Sequence, residues 1–253
     1  MQLPPFGFVS VHERPLADGS EREAEWLAGV ARTGRAAAHL WQGPPGWVVP
    51  RSCTALPAWA EVQARHGRAL QLRASGGGLV PQGPGLWNLS LAWPAGQATP
   101  ADLHAVYAAL CAALAAAIAR LKVATTPGAV PGSFCDGRWN LVSRGRKLAG
   151  TAQAWRRIGV RQLVLAHALL LVDADPQALA ARANKLAAEL GQGTPYRAAA
   201  LTSLAREAPD PARIEARTLQ VLAEQFARIV PPHVIKEDAD GPARIRDGSA
   251  RSG

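Results

Sequence analysis

Short apolar runs bounded by glycine and proline alternate along this chain with longer segments in which apolar residues recur at helical spacing. The short runs predict strands at residues 6–12, 36–41, 46–50, 71–72, 86–93, 140–144, 148–155 and 162–173. The longer segments predict helices at residues 20–30, 57–65, 100–122, 176–190 and 211–229. Because the last three strands follow one another closely, we expect them to form a meander.

Two of the predicted helices begin at recognisable caps. Ser20 is followed three residues later by Glu23, which is the spacing of a capping box. Thr99 precedes the long alanine- and leucine-rich helix and is expected to cap it. Cys111 lies on the apolar side of that helix, where we expect a small buried hydrophobic residue.

A triple glycine lies between two of the predicted strands. Gly76, Gly77 and Gly78 follow Arg73 closely. Residues without a Cβ are expected where the backbone takes unusual dihedral angles or comes very close to another molecule. The free N–H groups and the guanidinium suit an oxygen-rich ligand, although the spacing matches neither a P-loop nor a dinucleotide motif. A flexible turn explains the glycines alone equally well.

The chain is strongly basic. Its net charge is +9, and only four of its 28 basic residues are lysines, so the others are arginines. Nucleic acid is one class of partner for such a surface, but the arginines are scattered and no recognition motif is present. An acidic protein partner accounts for the same charge and is the favoured interpretation.

Length and hydropathy indicate a cytoplasmic, soluble protein with no membrane partner. No run of 18 apolar residues occurs, and residues 1–5 do not begin a signal peptide. A chain of 253 residues can bury a large core, so we expect one domain over residues 1–235. Residues 236–253 are charged and lack periodicity, which predicts a disordered tail.

The three cysteines predict neither disulfides nor a metal site. Cys53, Cys111 and Cys135 are odd in number and irregularly spaced. This pattern fits reduced thiols and does not fit a disulfide framework or a zinc site.

Three blocks of residues carry a resemblance to a known family. They are Arg73-Ala74-Ser75-Gly76-Gly77-Gly78-Leu79-Val80 with Gly85, Asn88 and Ser90; Gly145-Arg146-Lys147-Leu148-Ala149-Gly150-Thr151-Ala152; and His167-Ala168-Leu169-Leu170-Leu171. In this order they resemble the glycine loop, the lysine segment and the histidine strand of the lipoate-protein ligase A and octanoyltransferase family, which is related in fold to biotin-protein ligase. The resemblance implies an α/β (α+β) fold in which a mixed sheet carries packed helices on one face.

The resemblance also implies catalytic roles for Lys147 and Cys135. A lysine can place its ammonium where an acyl oxygen develops negative charge, whereas composition alone favours a solvated hairpin lysine. Some octanoyltransferases of this family use a cysteine nucleophile upstream of the lysine segment, as Cys135 is, and an incidental loop thiol is the alternative. The implied substrate-binding residues are Arg73, Ser75, Gly76, Gly77, Gly78, Gln82, Asn88, Gly150, Thr151, Ala152 and His167. The alternative for His167 is a core histidine with one satisfied nitrogen.

Two departures from the family pattern favour acyl transfer over adenylation. Gln82 stands where the family usually has histidine, so this position offers amide hydrogen bonds and no titratable group. Leu72 replaces the first arginine of the usual pair, which weakens the expected grip on phosphate. We therefore expect a transferase that takes octanoyl from acyl carrier protein, needs no cofactor, and attaches an octanoyl or lipoyl group to the target lysine of a lipoyl carrier domain.

Two alternatives stay open. One is an ATP-dependent lipoate-protein ligase, which would need ATP and magnesium. The other is a non-catalytic acyl- or nucleotide-binding homologue. For either enzyme, the resemblance implies lipoyl carrier domains or the glycine cleavage H-type protein as acceptors, and nucleic acid is not among the expected partners.

Overall fold

A computed structural model of the chain describes residues 2–73, 77–135, 137–193 and 195–236. Ser75 and Gly76, both predicted to bind substrate, lie outside the described residues. The segment 237–253, which makes up nearly all of the predicted disordered tail, also lies outside them.

The described residues form strands and helices in a mixed order. The strands are β1 (Phe8–His12), β2 (Ala37–Trp41), β3 (Gly46–Pro50), β4 (Leu70–Arg73), β5 (Val80–Gln82), β6 (Leu86–Pro94), β7 (Thr126–Gly128), β8 (Asn140–Ser143), β9 (Arg146–Ile158), β10 (Arg161–Leu171) and β11 (His233–Ile235). The helices are α1 (Gly19–Thr33), α2 (Trp59–His66), α3 (Leu103–Ala119), α4 (Pro176–Glu189), α5 (Leu204–Glu207) and α6 (Ile214–Phe226).

The strands form two sheets. The large sheet has the order β11-β1-β2-β6-β10-β9-β8-β7, and the small sheet has the order β4-β3-β5. In the large sheet β1 is parallel to β2 and to β11, whereas the other neighbours are antiparallel. The predicted mixed sheet is confirmed, and so is the meander, which is β8-β9-β10.

The alternating side chains of β10 show how the layers pack. Val164, Ala166, Ala168 and Leu170 join the core that includes α3 and α6. Residues on the opposite face of β10 join cores that include α1, or α4 together with the small sheet. Because successive strand residues point to opposite faces, helices cover both faces of the large sheet and not one face as expected.

The predicted capping box is wrong. Helix α1 begins one residue earlier, at Gly19, and its N-cap is Asp18, which makes no side-chain capping bond. The Asp18 carboxylate instead accepts a hydrogen bond of 2.8 Å from Arg22. Glu23 turns inward to the site described below, where its carboxylate is bonded to Ser90 and His167 on the sheet.

The predicted cap of the long helix is also wrong. A short 3₁₀ turn covers residues 100–102, and α3 begins only at Leu103, with Asp102 as its N-cap. Thr99 donates its backbone N–H to the Asp102 carboxylate at 2.9 Å. Cys111 is completely buried in α3, as predicted.

The glycine–proline turn at residues 43–46 joins the two sheets. It separates β2 in the large sheet from β3 in the small one. Strand β4 precedes the glycine loop and β5 follows it in the small sheet, and β6 then enters the centre of the large sheet. Gly77 and Gly78, the described glycines of the loop, lie close to Cys135.

Candidate functional site

A cavity lies between the small sheet and the middle of the large sheet. Ten of the predicted site residues line it: Arg73, Gly77, Gln82, Asn88, Cys135, Lys147, Gly150, Thr151, Ala152 and His167. Seven further lining residues were not predicted: Ser20, Glu23, Trp41, Val48, Val80, Phe134 and Leu169. Gly78 does not line the cavity but contacts the thiol of Cys135.

Lys147 is a buried lysine and not a solvated one. It is the second residue of β9, just after the turn at Arg144 and Gly145, and it is 1% exposed. Its ammonium donates hydrogen bonds to the backbone carbonyls of Phe134 and, at 3.1 Å, of Cys135. It also lies 4.9 Å from the centre of the Phe134 ring. The lysine thus holds the backbone of the loop that carries the thiol.

The buried carboxylate of Glu207 fixes the start of β9, where Lys147 lies. Glu207 accepts hydrogen bonds from Arg146 at 2.5 Å, from Ser143 at 3.2 Å and from Thr202 at 2.6 Å. The backbone N–H of Thr202 donates to the carbonyl of Lys147 at 2.9 Å. These bonds tie both sides of the β8–β9 turn to the segment that contains α5, and so restrict where the lysine can point.

Gly150 provides the space that the lysine ammonium occupies. A Cβ placed on Gly150 would lie 2.9 Å from Nζ of Lys147, which is closer than real contacts allow. The next residue, Thr151, donates its hydroxyl to the carbonyl of Trp139 at 2.5 Å. Gly150 therefore makes room for the ammonium, and Thr151 connects the strand to the segment that follows Cys135.

Cys135 lies against the glycine loop. Its Sγ is 2.8 Å from the backbone nitrogen of Gly78, whose N–H donates to the sulfur, and 3.3 Å from the carbonyl oxygen of the same residue. Arg73 donates to that carbonyl at 2.6 Å and lies 3.9 Å from the sulfur. The half-buried thiol therefore faces an N–H donor and a guanidinium inside the cavity.

The backbone of Cys135 takes an unusual conformation. Its φ is 52°, in the left-handed region that costs a residue with a side chain about 1 kcal/mol or more. The two carbonyls held by Lys147 and the sulfur contact with Gly78 stabilise this conformation. The unfavourable backbone conformation of Cys135 therefore accompanies the placement of its thiol in the cavity.

A hydrogen-bonded polar group closes another part of the cavity. Glu23 accepts hydrogen bonds from Ser90 at 2.8 Å and from Nδ1 of His167 at 2.7 Å. The indole of Trp41 donates to the Ser90 hydroxyl at 3.0 Å. One ring nitrogen of His167 is bonded to a buried carboxylate, as expected for a core histidine. The residue also lines the cavity, as expected for a substrate-binding residue.

Gln82 and Asn88 form a reciprocal amide pair. Asn88 donates to Gln82 at 2.9 Å, and Gln82 donates back at 3.3 Å. Both side chains are buried, at 4% and 0% exposure. Their amides are therefore largely committed to each other. Leu72 is half-buried and packs against the apolar cluster of the small sheet.

The two polar regions of the cavity lie well apart along β9. Lys147 is near one end, whereas Ala152 is paired with His167 across the β9–β10 ladder. Lys147 and Ala152 are five positions apart along the strand, which corresponds to roughly 16 Å. Apolar side chains of Val48, Val80 and Leu169 line the same cavity.

Two negative findings concern the described part of the chain. Within it, no group of three or more histidine, cysteine, aspartate or glutamate side chains is arranged to hold a metal ion. Among the same residues, no helix combines the length and the apolar character needed to cross a membrane.

A protein-family comparison matches most of the chain. The family model described as the lipoyl protein ligase A/B catalytic domain matches residues 24–227. That range contains the glycine loop, the thiol, the buried lysine and the histidine strand.

Two curated proteins are similar in sequence. An uncharacterized protein of Cupriavidus necator is 40% identical over 251 residues, which covers 90% of this chain and 99% of that protein. The octanoyl-GcvH:protein N-octanoyltransferase of Kyrpidia tusciae is 37% identical over 166 residues, which covers 62% of this chain and 57% of that enzyme.

Two solved structures share the fold. A lipoate-protein ligase A bound with ATP aligns over 92% of this chain and 90% of its own, with a TM-score of 0.66 and 14% identity. A lipoate protein ligase-like protein of T. acidophilum with bound lipoic acid aligns over the same shares, with a TM-score of 0.65 and 13% identity. At these identities the likeness establishes the biotin/lipoate ligase catalytic fold alone.

Proposed function

Because this chain belongs to the lipoyl protein ligase A/B catalytic-domain family and is an enzyme of the lipoyl or octanoyl transferase or ligase kind, we propose that it transfers octanoyl through a thioester on Cys135. The acceptor is the target lysine of a lipoyl carrier domain. The observation that carries this proposal is the contact of the Cys135 thiol with the glycine loop.

The thiol has the surroundings that covalent acyl transfer needs. A cysteine nucleophile requires access to the substrate and hydrogen-bond donors beside the reacting atoms. The sulfur faces the cavity, accepts the N–H of Gly78 and has the Arg73 guanidinium at 3.9 Å. Cys53 and Cys111 are buried and line no part of this cavity, so Cys135 is the thiol that fits the role.

In the first step the sulfur of Cys135 attacks the acyl carbonyl carbon of the donor. A carbon–sulfur bond forms, the bond from the acyl carbon to the donor breaks, and the thiol proton leaves with the donor group. In the second step the amine of the target lysine attacks the thioester. A carbon–nitrogen bond forms, the carbon–sulfur bond breaks, and one proton of the amine returns to the sulfur.

Lys147 has two parts in this scheme. It holds the carbonyls on either side of the Phe134–Cys135 peptide and thereby places the thiol. Its ammonium also provides positive charge within the same cavity, where each transition state develops negative charge on the acyl oxygen. A preorganised donor of this kind contributes roughly 3–4 kcal/mol in comparable enzymes.

The acyl chain lies in the apolar part of the cavity. Val48, Val80 and Leu169 offer side chains without hydrogen-bonding groups, as an alkyl chain requires. The roughly 16 Å of strand between Lys147 and the pairing partner of His167 accommodates an extended chain of eight carbons.

The octanoyl donor is the octanoylated form of GcvH, the glycine cleavage H-type protein. This part of the proposal is supported by the Kyrpidia tusciae relative, whose name states that substrate. It replaces acyl carrier protein as the favoured donor. Acyl carrier protein remains the second donor to test.

An ATP-dependent ligase is the competing enzyme activity. It would use ATP and magnesium, and it would not need a thiol nucleophile. The packing of Leu72 into an apolar cluster, in place of a second arginine in the glycine loop, supports transfer over adenylation.

One experiment separates the enzyme activities from each other and from a non-catalytic protein. The purified chain is incubated with an apo lipoyl domain and one of three donors: octanoyl-GcvH, octanoyl acyl carrier protein, or octanoate with ATP and magnesium. Intact-mass spectrometry of the lipoyl domain then reports acylation. The proposal predicts one octanoyl group from octanoyl-GcvH without ATP. Acylation only with ATP would contradict it in favour of a ligase, and no acylation in any arm would favour a binding protein.

A further inference from the structure

The segment that follows Cys135 carries an exposed arginine, Arg138, beside a pair of stacked aromatic rings. The guanidinium carbon of Arg138 lies 5.8 Å from the centre of the Trp139 ring. Tyr107 of α3 stacks on the same indole with ring centres 5.6 Å apart and planes 6° apart. Nη2 of Arg138 lies 2.9 Å from Nε2 of His104, also on α3. We name this set of residues 104, 107, 138 and 139 the arginine platform.

The arginine platform is connected directly to the cavity. The carbonyl of Trp139 accepts the hydroxyl of Thr151, which lines the cavity. The side chain of Asn140 donates to the carbonyl of Gly137 at 2.8 Å and so closes the turn between the thiol and the platform. Since Arg138 is three residues from Cys135 and Trp139 is bonded to a residue of the cavity wall, the platform lies beside the loop of the thiol, where an approaching carrier can contact it.

The exposed groups of the platform suit a carboxylate-bearing partner. Arg138 and His104 are exposed, while Trp139 and Tyr107 are half-buried. The planar guanidinium of Arg138, beside the Trp139 ring, can pair with a carboxylate through two N–H donors, and arginine and aromatic residues are enriched at protein interfaces. Residues 131–147 contain four basic side chains and one carboxylate, so the surrounding segment adds positive charge.

We propose that the arginine platform is the docking surface for the acidic face of the carrier domain that presents its lysine to Cys135. This inference rests on the proposed function, since it names the partner surface for the same site. Charge at such a rim acts chiefly on the rate of association and its dependence on salt, and a slower association raises Kd. Arg138 is therefore a docking residue, and its loss acts on carrier binding before it acts on the chemical step.

The chain offers a matched control at a distance. Strand β9 carries the exposed Arg157 at its far end, just before the turn that contains Val160, which is 91% exposed. Arg157 is ten positions along the strand from Lys147, or roughly 33 Å. Arg157→Glu thus makes the same change in net charge as Arg138→Glu, but far from the thiol.

The test compares these two variants with the unchanged chain. Binding of an apo lipoyl domain and of apo GcvH is measured by titration calorimetry at low salt, and transfer is followed at varied carrier concentration. We expect Arg138→Glu to raise Kd and KM for the carrier at least tenfold with kcat changed less than about threefold, and Arg157→Glu to change each by less than twofold. Arg138→Lys, which keeps the charge but loses the two-pronged donor of the guanidinium, should fall between them.

The outcomes separate this inference from the proposed function. Equal losses in Arg138→Glu and Arg157→Glu would overturn the docking surface and leave only a general effect of charge. Transfer by the unchanged chain with normal carrier affinity in Arg138→Glu would overturn the surface and leave the transferase intact. If the chain acylates no carrier but still binds the carrier in a way that depends on Arg138, the docking surface is supported and the proposed transferase activity is contradicted.

Discussion

The sulfur of Cys135 and the backbone nitrogen of Gly78 lie 2.8 Å apart, although 57 residues separate them in the chain. This contact joins the glycine loop of the small sheet to the loop that precedes the meander. Lys147 reinforces it from the other side by binding the carbonyls of Phe134 and Cys135. The three elements of the site are therefore mutually dependent, and each can be tested separately.

Lys147→Ala should strongly reduce transfer and also lower stability. Transfer should fall by about 10²–10³ because a preorganised donor is lost. Since the ammonium satisfies two backbone carbonyls and is 1% exposed, the free energy of unfolding should fall by about 1–3 kcal/mol. Turnover and denaturant unfolding measure the two effects. Turnover within threefold of the unchanged chain would remove Lys147 from the mechanism.

Gly150→Ala should displace the lysine ammonium without unfolding the chain. The added Cβ would lie 2.9 Å from Nζ of Lys147, which is the mobile end of a long side chain and can move away. We expect at least a tenfold loss of transfer and a small change in Tm. Gly193→Ala is the matched control, because its added Cβ meets nothing within 4 Å. Equal activity in both variants would show that the ammonium position is not critical.

Glu207→Gln should loosen the start of β9. The carboxylate is 6% exposed and receives hydrogen bonds from three side chains, including Arg146 next to Lys147. Loss of its charge leaves the arginine without its ion-pair partner, so the free energy of unfolding should fall by about 1–3 kcal/mol. Thermal unfolding and turnover at 20 °C check this. Unchanged Tm would mean that Glu207 does not brace the turn.

Stability should decline in mild acid because of two buried histidines. Burial lowers the pKa of His12 to about 4, with a smaller contribution from the charge of Arg22. Burial also lowers the pKa of His39 to about 3, with a smaller contribution from His12. Below about pH 6.5 the unfolded chain binds protons that the folded chain does not. The free energy of unfolding therefore falls as pH drops from 6.5 toward 4, by up to about 1.4 kcal/mol per pH unit for each histidine.

Denaturant unfolding between pH 7.5 and 4.5 measures that slope. His39 accepts or donates a hydrogen bond with Ser10 at 2.8 Å and stacks on Trp26 with ring centres 4.0 Å apart. His39→Gln keeps a polar side chain but cannot titrate, so the slope should be about halved. A slope identical to that of the unchanged chain would contradict the assignment.

The sequence predicts the long elements of this fold better than the short ones. Strands β6, β9 and β10 and helices α3, α4 and α6 follow from apolar patterns long enough to identify. Strands β5, β7 and β11 have three residues each and carry no readable pattern. β11 forms only because β1 offers it a parallel partner more than 200 residues away in the chain.

Site residues that belong to contiguous sequence motifs could be predicted. Site residues that are positioned by contacts distant in the sequence could not. The glycine loop, Lys147 and His167 belong to contiguous blocks. Glu23 does not: its spacing from Ser20 indicates a helix cap, yet its partners are Ser90 and His167, 67 and 144 residues away. Glu207 likewise acts on a turn 61 residues earlier. Such pairings depend on the packing of α1 and α5 against the sheet, which sequence periodicity does not specify.

The measurement that bears most directly on the central claim is the mass of the enzyme itself during the first step. The unchanged chain and Cys135→Ser are each mixed with octanoyl-GcvH in the absence of an acceptor, and Cys53→Ala serves as a control that keeps the cavity thiol. Transfer through a Cys135 thioester predicts one octanoyl group on the unchanged chain and on Cys53→Ala, its removal by hydroxylamine, and no such thioester on Cys135→Ser. Full transfer activity in Cys135→Ser, with no thioester trapped on the unchanged chain, would contradict that mechanism.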